Sequence, residues 1–139
     1  MSQIATVDDC ISLNNKSKQI KITNVTCGPG HGISIGSLGK YTNEEPVEGI
    51  IVKNCMIINT TNGVRIKTWP ASAASSTATD MQFLNIIMVN VSNPILIDQE
   101  YCLWNSCNRQ VLNTFSKFLM KLSLFSSQIT HLKKFIVSF

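Results

Sequence analysis

Asp8, Asp9, His31, Arg65 and Lys67 are the side chains of this 139-residue sequence whose types could do chemistry together. Carboxylates that share a cleft push each other's pKa values apart, which leaves one acid and one base for general acid–base work. An imidazole can tune such a pair, and two cations can hold a ligand carboxylate through charge-assisted hydrogen bonds. Taken singly, none of these residues is informative. Adjacent aspartates are ordinarily a solvated turn, and a lone histidine in a turn is ordinarily structural. They gain meaning only if the fold stacks distant positions on one another.

A repeat does so. Asn62-Gly63-Val64-Arg65-Ile66-Lys67 has a counterpart 31 places earlier, His31-Gly32-Ile33-Ser34-Ile35-Gly36, and another 31 places later, Asn93-Pro94-Ile95-Leu96-Ile97-Asp98. A second set, built around Asn24, Asn54 and Asn85, recurs at offsets of 30 and 31. Asp8-Asp9-Cys10-Ile11-Ser12-Leu13 aligns with the His31 strand at an offset of 22, a shorter coil that sets Asp9 against His31. Short strands recurring at a fixed period are the signature of a solenoid, so the expected fold is all-β, a parallel β-helix. Alternation turns Val64 and Ile66 inward and Arg65 and Lys67 outward, and coils about 4.8 Å apart make columns of matching positions. One outer column of acids, imidazole and cations is a candidate groove. The recurrent Asn24, Asn54 and Asn85 predict a side-chain ladder at a turn.

Composition limits the alternatives. With 44% apolar and 14% charged residues the chain has the make-up of one folded domain, and a net charge of +4 without a dense Lys/Arg run argues against a nucleic-acid arm. A polyanionic ligand is compatible with that charge. No apolar run reaches the roughly 20 residues that span a membrane, and residues 1–8 carry no basic, apolar leader pattern. Neither a membrane nor a nucleic-acid partner is expected, and a monomer is expected.

The five cysteines, Cys10, Cys27, Cys55, Cys102 and Cys107, form no Cys-x-x-Cys, so no metal site is predicted. Cys10 and Cys27 flank one coil connection and Cys102 and Cys107 bracket a short loop, which makes one or two disulfides reasonable in a secreted protein. Cys55 stands where other coils are apolar and reads as a buried small hydrophobe. The glycine-rich corner Cys27-Gly28-Pro29-Gly30-His31-Gly32 lacks a following Gly-Lys-Ser/Thr and is read as a tight bend, not a phosphate loop.

Residues 37–48 read as a loop over one face, and the Ala/Ser/Thr-rich run 71–79 as a flexible loop beside Trp69, which could stack on a ligand or pack beneath its own loop. Asn15, Asn24, Asn59 and Asn90 begin Asn-x-Ser/Thr sequons, acceptors for glycosylation in a secreted protein. The cadence stops after Arg109. Residues 1–109 are therefore assigned to the solenoid and 110–139 to a divergent tail, a helical cap, a disordered tail or a segment of foreign origin.

Asp8-Asp9-Cys10, Gly30-His31-Gly32, Arg65-Ile66-Lys67 and Ile97-Asp98-Gln99-Glu100-Tyr101, in this order, make the chain similar to the plant polygalacturonases, a pectin-hydrolysing family of right-handed parallel β-helices. The resemblance covers residues 4–109. It implies that Asp8 protonates the glycosidic oxygen of an α-1,4-galacturonosyl bond while Asp9 helps activate water for an inverting displacement. His31 would tune the acid, Arg65 and Lys67 would hold the galacturonate carboxylate, and Tyr101 would contact the sugar. The substrate would be the anionic polysaccharide polygalacturonate, in the plant cell wall outside the cell, with no metal or organic cofactor.

Some features depart from that family. Its Asn-Thr-Asp motif, one coil before the acidic pair, is not in this sequence, Val7 stands where glycine is common, and strict alternation would turn Asp9 inward with Ile11, so the entry to that strand must be bent for both carboxylates to reach the cleft. The expectation is a fragment with most of the substrate site and an incomplete catalytic set. Rhamnogalacturonan and xylogalacturonan hydrolases are the nearest enzymatic alternatives. From another class, the rival is a non-catalytic solenoid that binds an acidic polysaccharide or a protein.

Overall fold

Strands in this chain pair with their counterparts one coil on, always in parallel. The computed structural model describes residues 1–70 and 77–103, and the backbone of 135–138. The elements are β1 (Ser2–Ile4), β2 (Ile11–Leu13), β3 (Lys18–Thr23), β4 (Val25–Cys27), β5 (Ile33–Leu38), β6 (Val47–Ile58), β7 (Asn62–Thr68), β8 (Ala78–Val89), β9 (Asn93–Asp98) and β10 (Phe135–Ser138). One sheet stacks β2, β5, β7, β9 and β10; the other joins β1, β3, β4 and β8 around the long β6. Among the described residues there is no α-helix, and the architecture is a parallel β-helix.

The register carries the repeat directly. Ile11 pairs with Ile33, Ile33 with Val64 and Val64 with Ile95, so the intervals of 22 and 31 are the lengths of successive coils. Inward positions are filled by β-branched and long apolar residues, including Ile33, Ile35, Ile50, Val52, Ile57, Ile66, Met81 and Phe83, all within one buried cluster.

The long strands keep both arms facing that cluster by changing phase. In β6 the buried residues run Val52 and then Cys55, an interval of three instead of two, and β8 repeats this with Phe83 and Ile86. The extra residue is Asn54 or Asn85, with φ at 53° and 52°. Asn24 occupies the same left-handed conformation between β3 and β4, with φ at 57°. A short side chain that tolerates positive φ is what this bend requires. Asn85 Nδ2 donates to Asn54 Oδ1 at 2.9 Å, so the corner is also a ladder between coils. Two further ladders run alongside: Asn90 Nδ2 donates to Asn59 Oδ1 at 2.8 Å, and Asn93 Nδ2 to Asn62 Oδ1 at 3.1 Å.

Two boundaries differ from the sequence reading. The loop expected over 37–48 is shorter, because β5 extends through Leu38 and β6 begins at Val47; apolar Leu38 and Val47 gain burial by joining the strands. Of the run 71–79, residues 71–76 lie outside the described residues, while Ala78 and Thr79 open β8. Most of 110–139 also lies outside them. Its described segment, β10, is a strand paired with β9, Phe135 with Ile95 through Ser138 with Asp98.

The phase change makes a testable demand on Asn54. Asn54→Ala should lower unfolding free energy by about 1–3 kcal/mol, the left-handed strain plus one lost hydrogen bond. Asn54→Gly should cost less, because glycine accepts the bend, and chemical denaturation of both variants measures the difference.

Candidate active site

Asp8 and Asp9 lie on the bend that precedes β2, and backbone hydrogen bonds clip this bend to the glycine-rich corner one coil on. Thr6 N–H donates to Pro29 O at 3.1 Å, His31 N–H to Asp8 O at 2.9 Å and Cys10 N–H to Gly32 O at 2.8 Å. The approach is close enough that a side chain at Gly30, whose φ is +148°, would collide with the Asp8 carbonyl. Cys10, next to Asp9, is disulfide-bonded to Cys27, which leads into the corner. Closing a loop of this size, with a sequence separation of 17, constrains the unfolded chain by about 3 kcal/mol. Cys102 is also disulfide-bonded, Cys107 lies outside the described residues, and Cys55 is a free, buried thiol.

Being ahead of the strand, Asp9 escapes the alternation that would turn it inward with Ile11. Its Oδ1 accepts from Ser34 Oγ at 2.7 Å and from Arg65 Nη2 at 3.1 Å, and its Oδ2 accepts from Lys67 Nζ at 3.1 Å. Arg65 Nε also donates to Ser34 Oγ at 3.2 Å, which closes a ring of three side chains. The side chains of Asp9, Arg65 and Lys67 are only 11%, 15% and 7% exposed. The two cations do face outward from β7, but Asp9 covers them. Tyr101 adds a roof: its N–H bonds Thr68 O at 3.1 Å, and its ring centre lies 4.9 Å from Lys67 Nζ and 5.7 Å from the Arg65 guanidinium carbon.

Asp8 faces solvent. Although register aligns His31 with Asp9, it is the Asp8 Oδ1 that meets His31 Nδ1, at 3.2 Å. The Asp9 N–H, donating to Asp8 Oδ1 at 2.8 Å, holds the Asp8 carboxyl below its ordinary value; desolvation opposes this, and the His31 ring and the Lys67 charge add to it. The Asp9 carboxylate beside it is turned toward Arg65 and Lys67.

Asp8, Asp9 and His31 each offer a ligand atom within 4.8 Å of the others, an arrangement that could hold a metal ion. Asp9, however, has both oxygens committed to Ser34, Arg65 and Lys67, and the two positive charges oppose a third cation. An anion suits the same surroundings better. Asp8, Asp9, His31, Arg65, Lys67 and Tyr101 therefore converge on the outer face of the sheet formed by β2, β5, β7 and β9. Ser34 was missed in the sequence, although the offset of 31 that links His31 to Asn62 also puts Ser34 beside Arg65.

The family model of glycosyl hydrolases family 28 matches residues 1–118. The chain belongs to glycosyl hydrolases family 28. A polygalacturonase of Medicago sativa is 56% identical over 109 residues, covering 78% of this chain and 26% of the relative. An exopolygalacturonase of Oenothera organensis is 60% identical over 110 residues, 79% of this chain and 30% of its own length. A polygalacturonase of Gossypium barbadense is 58% identical over 108 residues, again 26% of the relative. This family 28 chain thus spans between a quarter and a third of the length of these relatives.

Ser34 offers a direct check on the ring. Ser34→Ala removes a donor to Asp9 and the acceptor of Arg65 Nε, leaving buried charge-bearing groups under-bonded. Unfolding free energy should fall by about 1–3 kcal/mol. A change within about 0.5 kcal/mol, the range of a neutral surface substitution, would show that water or neighbours replace the hydroxyl.

Proposed function

We propose that this chain carries the carboxylate clamp and the general acid of a hydrolase acting on polygalacturonate, and that its polysaccharide lies in the plant cell wall outside the cell. The observation that carries this reading is the cluster of Arg65 and Lys67 around one carboxylate beneath Tyr101. Two cations meet a single enclosed carboxylate, Asp9, while Asp8 faces solvent, so a ligand carboxylate placed at Arg65 and Lys67 finds charged donors already in position. A galacturonate carboxylate supplies that charge, and a sugar ring gives Tyr101 a face to pack on. Among family 28 proteins, relatives named polygalacturonase and exopolygalacturonase match at 54–60% identity, which supports the same substrate class. The Cys10–Cys27 disulfide agrees with an oxidising compartment.

In this reading Asp8 donates the proton to the glycosidic oxygen. The donors around Asp8 hold it below its ordinary pKa, so ligand binding must raise it before Asp8 can carry the proton. An arriving galacturonate carboxylate does this by adding negative charge and displacing water, both of which favour the protonated form. His31, bonded to the same oxygen, is the group that can pass or withhold the proton.

Asp9 is the water-activating carboxylate of the resemblance. Inverting hydrolysis leaves about 6.5–9.5 Å between its two carboxyl groups to seat the water. One oxygen of Asp8 lies within 4.8 Å of one of Asp9, and both Asp9 oxygens are engaged by Ser34, Arg65 and Lys67, which leaves this pair alone poorly suited to seat and activate that water. We infer that inversion needs a further carboxylate from outside the described residues, and that the described set binds substrate better than it turns it over.

Equilibrium binding of tetragalacturonate, alongside release of reducing ends from polygalacturonate, tests this. The chain should bind the acidic oligomer at least about tenfold more tightly than a neutral galactose oligomer, the difference expected from one charged hydrogen-bonded contact. Asp8→Asn should keep that binding and abolish whatever turnover the chain shows. Binding without any turnover agrees with the missing carboxylate, and turnover at the full rate of a complete hydrolase contradicts it. Equal affinity for acidic and neutral oligomers contradicts the clamp.

A further inference from the structure

Lys40 stands apart from the other described cations of its neighbourhood. Lys16 and Lys18 pair with Glu45 at 3.1 and 3.2 Å, while Arg65 and Lys67 pair with Asp9. Lys40 is exposed and pairs with no carboxylate among the described residues. Its Nζ lies between two aromatic rings, 5.3 Å from the centre of Tyr41 and 5.2 Å from that of Trp69. Acids do occur nearby in sequence, but the fold engages them elsewhere. Glu44 accepts three successive backbone N–H groups, Gly39 at 2.6 Å, Lys40 at 2.9 Å and Tyr41 at 3.1 Å. Glu45 is taken by the two lysines of the preceding turn.

The position of this group relates it to the clamp. Arg65, Lys67 and Trp69 follow one another at the interval of two that keeps side chains on one face of a strand. Trp69 holds the ladder beyond the end of β7, its N–H donating to Leu38 O at 2.7 Å. Two residues of extended chain advance about 6.6 Å, so Trp69 and the lysine above it sit one step along the face from Lys67. The Glu44 contacts fix the loop that brings Lys40 there, and its charge meets no carboxylate among the described residues.

We propose that Lys40, seated between Tyr41 and Trp69, is a second carboxylate-binding position, taking a galacturonate residue of the polymer other than the one held by Arg65 and Lys67. This rests on the polygalacturonate reading. The ammonium bonds the sugar carboxylate, and the Trp69 and Tyr41 rings offer apolar faces to the pyranose ring.

Calorimetric titration of the chain and of Lys40→Met with tetragalacturonate and with its methyl ester tests the proposal. Methionine keeps an apolar stem between the rings and removes only the charge. Lys40→Met should weaken binding of the free acid by about tenfold and leave the affinity for the ester unchanged. Its thermal unfolding should match that of the unmodified chain, which separates lost binding from lost folding. Unchanged affinity for the free acid, or an equal loss for both ligands, overturns the Lys40 position and leaves the clamp standing. Failure of the unmodified chain to bind the free acid overturns the clamp and, with it, this proposal.

Discussion

The carboxylate of Asp9, sunk between Arg65 and Lys67, is the interaction on which the outer face of this solenoid depends. It reaches from the bend before β2, across Ser34 of β5, to two cations on β7, and so ties three coils whose contributions are up to 58 residues apart in sequence. Burying three charged groups is expensive, and their mutual attraction offsets the cost only when the remaining hydrogen-bond positions are filled. Ser34 fills two of them. The consequence is a pair of cations held in place before any ligand arrives.

That arrangement is possible because the frame beneath it is regular. Left-handed asparagines at 24, 54 and 85 let each long strand change phase and keep both arms on the core, and the amide ladder joins the corner of one coil to the next. The outer columns inherit that regularity. The disulfide from Cys10 to Cys27 and the backbone clips at Thr6, Cys10 and His31 hold the acidic bend against the glycine-rich corner. Exposed Asp8 and enclosed Asp9 are adjacent in sequence yet meet different surroundings. Asp8 faces solvent and His31, and Asp9 faces the cations.

Much of this was legible in the sequence, because parallel stacking converts a fixed interval into contact. The interval of 31 predicted the β5, β7 and β9 register, and the interval of 22 the shorter coil that carries the acids. What the register could not supply was side-chain direction off the strands. Asp9 precedes β2, where alternation alone would turn it inward, and the bend that both carboxylates need is present, although its pairing with Arg65 and Lys67 could not be read from register. The Asn59–Asn90 ladder was hidden for another reason. The coil before it turns this corner with Gly28-Pro29-Gly30, leaving the asparagine in two coils only. Strand β10 pairs with β9 through backbone groups, which need no marker residue.

The family 28 resemblance and the geometry meet at the same six side chains, and the close approach of Asp8 and Asp9 is what the pair's own chemistry leaves open. Charge neutralisation across coils is the claim from which the clamp, the enclosed Asp9 and the ligand preference all follow. A double-mutant cycle of Asp9→Asn and Lys67→Met, read by chemical denaturation, measures it most directly. The account predicts a coupling free energy of about 1 kcal/mol or more between the two positions. Additive effects, equal within about 0.5 kcal/mol, would contradict it.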